Sequence, residues 1–300
     1  MIHEYAVEPE VLSRWQNFRY FSENFGVSRG RLISEFPKEW VKRVYESLEG
    51  CKDIEKSTII QRLKHLKETA LLPRRYQGHD WNNGAWIDNA VTEHLKTSFR
   101  AIIAVANPKS FDFVRCGDDL DETDPLWRAE TECRIERTAT QMAECAATLL
   151  RASSKIRFVD PYFEPNDPRF TNPLKEFLRR ALTDRGKAGL RNIEYHTSNR
   201  ATRAHILNAA ARNWAWFRGL LPRGLRLQIV QWHKDDMHNR FILTERGGMK
   251  FANGLDEGDN PRHDVVNLLG EKVCEEISKD YDVVESKLRL VDNWEIEELV

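Results

Sequence analysis

The sequence predicts an α/β protein, a sheet flanked by helices, preceded by a mainly α-helical N-terminal region. Three observations carry that prediction. Strand-like and helix-like runs alternate from Lys155 onward, two short β runs joined through glycines follow them, and the aromatics of the opening region recur at helical spacing. The helical region is set at 1–130 and the sheet-bearing domain at 131–300.

In the N-terminal region the spacing predicts helices over Pro9 to Phe25, with proline at the first helical position, over Lys38 to Leu48 opened by Pro37, and over Ser57 to Leu72. Trp15, Phe18, Tyr20, Phe21, Trp40 and Tyr45 fall largely at helical spacing and read as core. A breaker-rich link from Pro73 to Gly84 leads into a helix over Trp86 to Thr97 and a strand over Ala101 to Ala106. An acidic loop, Asp118 to Asp124, precedes a helix over Ile135 to Arg151. The alternation follows. Strands over Ile156 to Asp160, Ile193 to Thr197 and Leu225 to Trp232 enclose helices over Pro173 to Leu182 and Arg203 to Phe217. Arg240 to Glu245 and Met249 to Ala252 are the closing β runs, and Gly247-Gly248 between them suit a tight hairpin connection. The chain has no internal repeat, low-complexity tract, G-x-x-x-x-G-K-[ST], G-x-S-x-G or H-E-x-x-H.

Composition excludes several classes. Of 300 residues, 41% are hydrophobic and 31% charged, and 46 basic against 47 acidic side chains leave a net charge of -1. Such a chain is neither disordered, collagen-like nor a wholesale polybasic nucleic-acid binder. Its longest apolar run, Ala101 to Ala106, falls far short of the roughly 20 residues that cross a bilayer. Met1-Ile2-His3-Glu4 lacks the basic start and apolar stretch of a secretory leader, so a cytoplasmic location is expected. The 5 cysteines (Cys51, Cys116, Cys133, Cys145 and Cys274) form an odd set without C-x-x-C spacing and read as reduced thiols. His233, His238, His263 and Cys274 lack the spacing of a zinc knuckle, and no metal or other cofactor is expected.

Charge is uneven along the chain. Between Leu174 and Arg226 twelve Lys or Arg face Glu176, Asp184 and Glu194, while from Glu271 to Val300 ten acids face four bases. Arginine dominates the basic stretch, and its planar fork suits phosphate oxygens. Trp214, Trp216 and Phe217 interleave with it and are placed to stack on bases. The plainer reading is a solvated helix face paired with the acidic C-terminal stretch.

The densest chemistry lies in Met237-His238-Asn239-Arg240-Phe241-Ile242-Leu243-Thr244-Glu245, followed by Asn253-Gly254-Leu255-Asp256-Glu257-Gly258. Residues two apart on a strand share a face, so His238 and Arg240 project together while Phe241 and Leu243 enter the core. A nucleophile or base thereby sits beside a phosphate clamp. The returning hairpin is placed to bring Asn253, Asp256 or Glu257 near the histidine, where a carboxylate fixes its tautomer. A histidine and an arginine on the wet face of an edge hairpin is the competing reading.

These residues resemble the phospholipase D-like, or HKD, superfamily, whose hallmark is H-x-K-x4-D followed by a glycine-rich stretch with asparagine. His238 fills the histidine, Arg240 stands at the lysine and Glu245 at the aspartate, both replacements keeping the charge. The usual Gly-Ser-x-Asn is absent in register, and Asn253-Gly254 is its nearest substitute. The segment Ile156 to Phe163 resembles the strand that opens such domains, and the likeness, to bacterial H-x-R variants, covers Ala146 to Leu269. The first 130 residues resemble no family and have no assigned role.

The resemblance implies a phospholipase D-like sheet and metal-independent phosphodiester cleavage through a phosphohistidine. His238, Arg240, Glu245, Asn253 and Glu257 are its implied site residues. Only one H-x-R run of this kind occurs, so a homodimer is expected to supply the second histidine. His196 at a strand end, His205, His233 and His263 offer no second copy of the motif. A nuclease acting on DNA or RNA is the first expectation. A non-catalytic nucleic-acid-binding or scaffold subunit of a bacterial, conceivably antiviral, assembly is the second, with a protein partner met through the N-terminal region. A lipid or small-molecule phosphodiesterase is the third.

Overall fold

The protein, described by a computed structural model over residues 1–49, 52–74, 84–183, 189–217 and 219–296, is α/β. It divides into two compact units, Met1–Thr131 and Glu132–Val300. Most of the Pro73 to Gly84 link, Cys51, and Asp184, Arg185, Lys187 and Arg218 of the basic stretch lie outside the described residues.

The N-terminal unit runs β1 (His3–Val7), α1 (Trp15–Asn24), β2 (Arg31–Ser34), α2 (Trp40–Ser47), α3 (Asp53–Thr69), β3 (Leu71–Leu72), α4 (Trp86–Lys96), β4 (Ala101–Ala104) and β5 (Val114–Cys116). A mainly helical region is therefore an incomplete account of it. Its helices accompany a five-stranded sheet, ordered β3-β2-β1-β4-β5, in which every pairing is parallel. Strand order reverses direction between β1 and β4, the switch-point arrangement of doubly wound sheets. Of the strands that the sequence did not show, β2 opens with a charged residue that the fold buries with partners. Arg31, at the start of β2, lies 4.3 Å over the Trp127 ring while Nε donates to the Trp127 carbonyl (2.8 Å) and Nη2 to Glu122 (2.7 Å). The helix expected to reach Leu72 stops at Thr69, because Leu71 and Leu72 pair with Ile33 and Ser34.

The C-terminal unit runs β6 (Glu132–Glu136), α5 (Ala139–Ala152), β7 (Lys155–Val159), α6 (Pro168–Leu182), β8 (Asn192–Ser198), α7 (Arg203–Asn213), β9 (Leu227–Trp232), β10 (Arg240–Thr244), β11 (Gly247–Phe251), β12 (His263–Leu268), α8 (Glu271–Asp280) and β13 (Leu290–Ile296). They build an eight-stranded mixed sheet ordered β13-β9-β8-β7-β10-β11-β12-β6. Within it β7, β8 and β9 are parallel, and α6 and α7 make the crossovers between them. β10 turns the direction and pairs antiparallel with both β7 and β11.

Both faces of β10 are covered. Phe241 and Leu243 pack with Val159, Val230, Trp232, Met237, Leu269, Cys274 and Tyr281 on one face, while Ile242 is buried on the other. The hairpin differs from expectation in its glycines. Thr244 pairs with Gly247, so the turn is Glu245-Arg246 and both glycines belong to β11. Gly248 is needed for packing instead, since a Cβ there would meet Cys274 Sγ, Leu243 and Leu269 at 3.0 Å. The helix expected from Ile135 starts at Ala139, after β6 has paired with β12.

Candidate functional site

The registers place the site. Val159 of β7, His196 of β8 and Val230 of β9 lie level, so the carboxyl ends of these three parallel strands open on one rim of the sheet. Phe241 opposes Val159, which sets the start of β10 on that same rim. Ligands of open α/β sheets bind outside such strand ends. The residues delivered there are Asp160 and Tyr162 after β7, Asn199 and Arg200 after β8, His233 and Lys234 after β9, and His238 and Arg240 leading into β10.

His238 is exposed and Arg240 half-buried, on the rim beside each other. Among the described residues no side chain hydrogen-bonds the His238 imidazole. The Arg240 guanidinium lies 4.9 Å from the Tyr162 ring centre and donates from Nη1 to the His238 carbonyl (3.2 Å). Its Nε is buried with no hydrogen-bond partner among the described residues. Tyr162 is 46% exposed, and its ring also carries Arg200, whose guanidinium carbon sits 5.0 Å from the ring centre. Neither Arg200 nor Arg240 meets a carboxylate in an ion pair among the described residues. Two guanidiniums gathered on one aromatic ring concentrate positive charge where an anion would relieve it. Lys234 adds a further exposed cation, its backbone N–H held by Asn199 Oδ1 (3.0 Å). Of the two nearby acids, Asp236 is taken up by Arg289 (2.7 Å), and Asp235 lies 3.5 Å from His233 Nδ1.

Beneath the rim is a buried acidic support. Asp160 is 1% exposed and accepts from the backbone N–H groups of Leu255 (2.8 Å) and Tyr162 (2.9 Å). Burial raises its pKa and Asp256 adds to the rise, while those two hydrogen bonds and the Arg240 charge oppose it. Asp256 grips two guanidiniums, Arg137 at 2.9 Å and Arg169 in a very short pair. The loop over these carboxylates requires glycine at position 254. Its φ is +144°, and a Cβ would come within 2.0 Å of Asp256 Oδ1.

Each of the three other residues implied by the motif is hydrogen-bonded to groups other than His238, although the β10–β11 register, carried two residues past Arg240–Phe251, sets Asn253 on the same rim. Glu245 lies at the far end of β10, seven residues or roughly 23 Å of extended chain away. There it accepts from Ser154 N–H (2.6 Å), Ser154 Oγ (3.1 Å) and Lys155 N–H (3.0 Å). Glu257 caps α5, with Oε1 accepting from Ala139 N–H (2.8 Å) and Oε2 from Asn172 (3.1 Å). Asn253 is bound to Asp264 through its backbone N–H (3.1 Å) and its side-chain Nδ2 (3.0 Å). The structure thus brings together His238 and Arg240 and gives Glu245, Asn253 and Glu257 work in holding loops.

One other expectation is corrected, that of aromatics stacking on bases. Trp214 and Phe217 are buried, with Trp214 Nε1 donating to the Pro165 carbonyl (2.8 Å), so neither presents a face to a base; Trp216 is half-buried against Trp214. His196 is sealed inside the sheet. The Trp232 indole donates to its Nδ1 (2.9 Å), which makes Nδ1 the acceptor and places the proton on Nε2, facing Glu194 at 2.9 Å. Part of the basic stretch is also neutralised, since Arg226 pairs with Glu295 (2.7 Å) and Arg203 with Asp292 (3.7 Å) on β13. Tyr162, Arg200 and Asp160 went unassigned in the sequence, though each follows directly on an apolar strand. No cluster of three His, Cys, Asp or Glu suited to a metal ion occurs among the described residues, and no helix of theirs is long and apolar enough to cross a membrane.

No family model matches the chain, and no curated protein matches it. Among solved structures, one of TrmBL2, an archaeal chromatin protein described as showing a novel mode of DNA binding, aligns with a TM-score of 0.30 at 7% identity. The alignment covers 85% of this chain and 71% of that one. A likeness this low says nothing about fold or function here.

Proposed function

We propose that the C-terminal unit is a phosphodiesterase of the phospholipase D-like kind, a nuclease by first reading, with His238 as nucleophile. The observation that carries this reading is the rim itself. An exposed imidazole stands beside a guanidinium with a buried, unanswered Nε–H, and a second guanidinium shares the adjoining Tyr162 ring. Neutral imidazole attacks phosphorus, the P–N bond forming as the P–O ester bond breaks. The leaving oxygen takes a proton from a second imidazole, supplied by His238 of a sister chain in a homodimer. Water then attacks phosphorus and breaks the P–N bond, its proton passing to the second imidazole, which returns both histidines to their starting states. Arg240 and Arg200 hold the charge on the non-bridging oxygens, which is greatest in the transition state. The chain's own side chains supply the nucleophile, the proton donor and the cations in this scheme.

A non-catalytic nucleic-acid-binding subunit is the second reading. It is favoured by the engagement of Glu245, Asn253 and Glu257 with other groups, which leaves His238 without a carboxylate partner from the motif. One experiment separates the two. Purified protein treated with a chelator is incubated with single-stranded and duplex DNA and RNA and with phospholipid vesicles, alongside His238→Ala. Cleavage of nucleic acid by the wild type alone, with acid-labile, base-stable phosphate trapped on His238, supports the nuclease. Equal binding without turnover in both proteins supports the second reading and overturns the first. Release of a lipid head group moves the substrate class to phospholipids.

A further inference from the structure

Cys133 on β6 and Cys145 on α5 place their sulfur atoms 3.4 Å apart, three strands along the sheet from β10. Both are free thiols and both are half-buried. We propose that they form a two-electron oxidation site, a dithiol that hydrogen peroxide or a small organic hydroperoxide closes to a disulfide and a small-molecule thiol reopens.

The geometry requires little movement. A disulfide bond is about 2.05 Å long, so the sulfurs need to approach by about 1.4 Å. β6 is the last strand of its sheet, paired with β12 on one side, and an edge strand yields more readily than an enclosed one. The chemistry is also poised. The hydrogen bond from Cys145 draws the Cys133 thiol down to about 7, while the same contact and burial push Cys145 up. Cys133 is thus the thiol of the pair that ionises first and Cys145 the one that keeps its proton. Cys274, by contrast, is the buried residue of α8 and is pushed up by burial.

The step balances. The Cys133 thiolate attacks one peroxide oxygen, an S–O bond forms as the O–O bond breaks, and hydroxide leaves to collect a proton as water. Cys145 sulfur then attacks the sulfenic sulfur. Its thiol proton and the sulfenic hydroxyl depart as a second water, and the S–S bond is complete. Two thiols lose two electrons, and one peroxide is reduced to two waters.

The test uses the full chain and needs no substrate, so its outcome is independent of the proposed nuclease activity. The protein is exposed to dilute hydrogen peroxide, the remaining thiols are alkylated, and intact mass and tryptic peptides are measured without reductant. The expected result is a loss of about 2 Da, two thiols lost together, and a Cys133–Cys145 peptide link that dithiothreitol removes. The thermal midpoint should rise by several degrees in the oxidised form. Cys145→Ser should stall at a sulfenic acid on Cys133 that dimedone traps. The proposal is overturned if the two thiols stay alkylatable at a peroxide dose that oxidises free glutathione. It is equally overturned if the link maps to another pair or if only oxygen addition appears without a link.

Discussion

Each unit ends its parallel strands on a rim, and the two rims differ in the side chains that they carry. In the N-terminal unit β1 runs into Glu8 and β2 into Glu35, while β5 leads to Gly117 and Asp118. In the C-terminal unit the corresponding ends deliver Tyr162, Arg200, Lys234, His238 and Arg240 over the buried Asp160. The first rim is also closed on itself. Glu8 Oε2 accepts from the Val105 N–H (2.6 Å) across the switch point, and the Trp40 indole donates to the Val7 carbonyl (2.6 Å). Strand ends of the same topological kind therefore gather arginine and lysine in one unit and form an acid-lined, internally satisfied edge in the other. Fold supplies the place, and the side chains decide what can occupy it.

The contrast breaks most sharply at His238. His238→Ala should lower nucleic-acid cleavage by about 1,000-fold or more while leaving the thermal midpoint unchanged, because the side chain is exposed. Persistent cleavage in that variant would move the chemistry off this rim. Next in size is the loop that supports it. Gly254→Ala forces a side chain into a φ of +144° against Asp256 and should destabilise the protein by about 3 kcal/mol, read from denaturant melts. Arg200→Ala should weaken nucleic-acid binding about tenfold and reduce the salt slope by about 1, with no change in fold by circular dichroism. An unchanged slope would remove Arg200 from the phosphate path.

Acid should separate the two units. In the C-terminal unit burial holds His196 below 6.5; burial alone would raise Glu194, but His196 and Arg157 outweigh it and hold that carboxyl below 4.5. Both groups bind fewer protons folded than unfolded, so their contributions are present above those ordinary values and are lost as pH falls through the folded ones. Glu8 behaves in the opposite sense. Burial raises it, so its contribution is present below 4.5 and is lost as pH rises through its folded value. Amide exchange from pH 7 to pH 5 should therefore show β8 losing protection relative to β1. The smallest expected effect is Glu8→Gln, which should leave nucleic-acid binding unchanged. A gain in binding would show that the acidic rim also meets the ligand.

Legibility in the sequence followed how each residue is used. β7, β8 and β9 were readable because β-branched and aromatic residues recur along them between helical stretches, and Phe241 and Leu243 enter the core as alternation requires. β1, with His3 and Glu4 among its five residues, and β6, a charged edge strand, carried no such run. His238 and Arg240 were found because a two-residue period says which side chains share a side. Glu245, Asn253 and Glu257 were grouped with them by nearness in sequence. Spacing along the chain cannot show that a carboxylate is already spent on Ser154, or on the first turn of α5. Trp214 and Phe217 failed likewise, since an aromatic among arginines looks the same whether it faces water or Pro165.

The acidic C-terminal stretch is easily mistaken for a detachable appendage. Asp282 receives Arg157 Nη2 (2.9 Å), whose Nε holds Glu194 (2.7 Å), and Tyr281 packs edge-on against the His196 ring that Glu194 engages. Trimming the molecule before residue 281 would leave that guanidinium half-answered, open the imidazole to water and strip β9 of its outer neighbour. Shortened versions made for crystallisation or tagging should keep everything through Ile296.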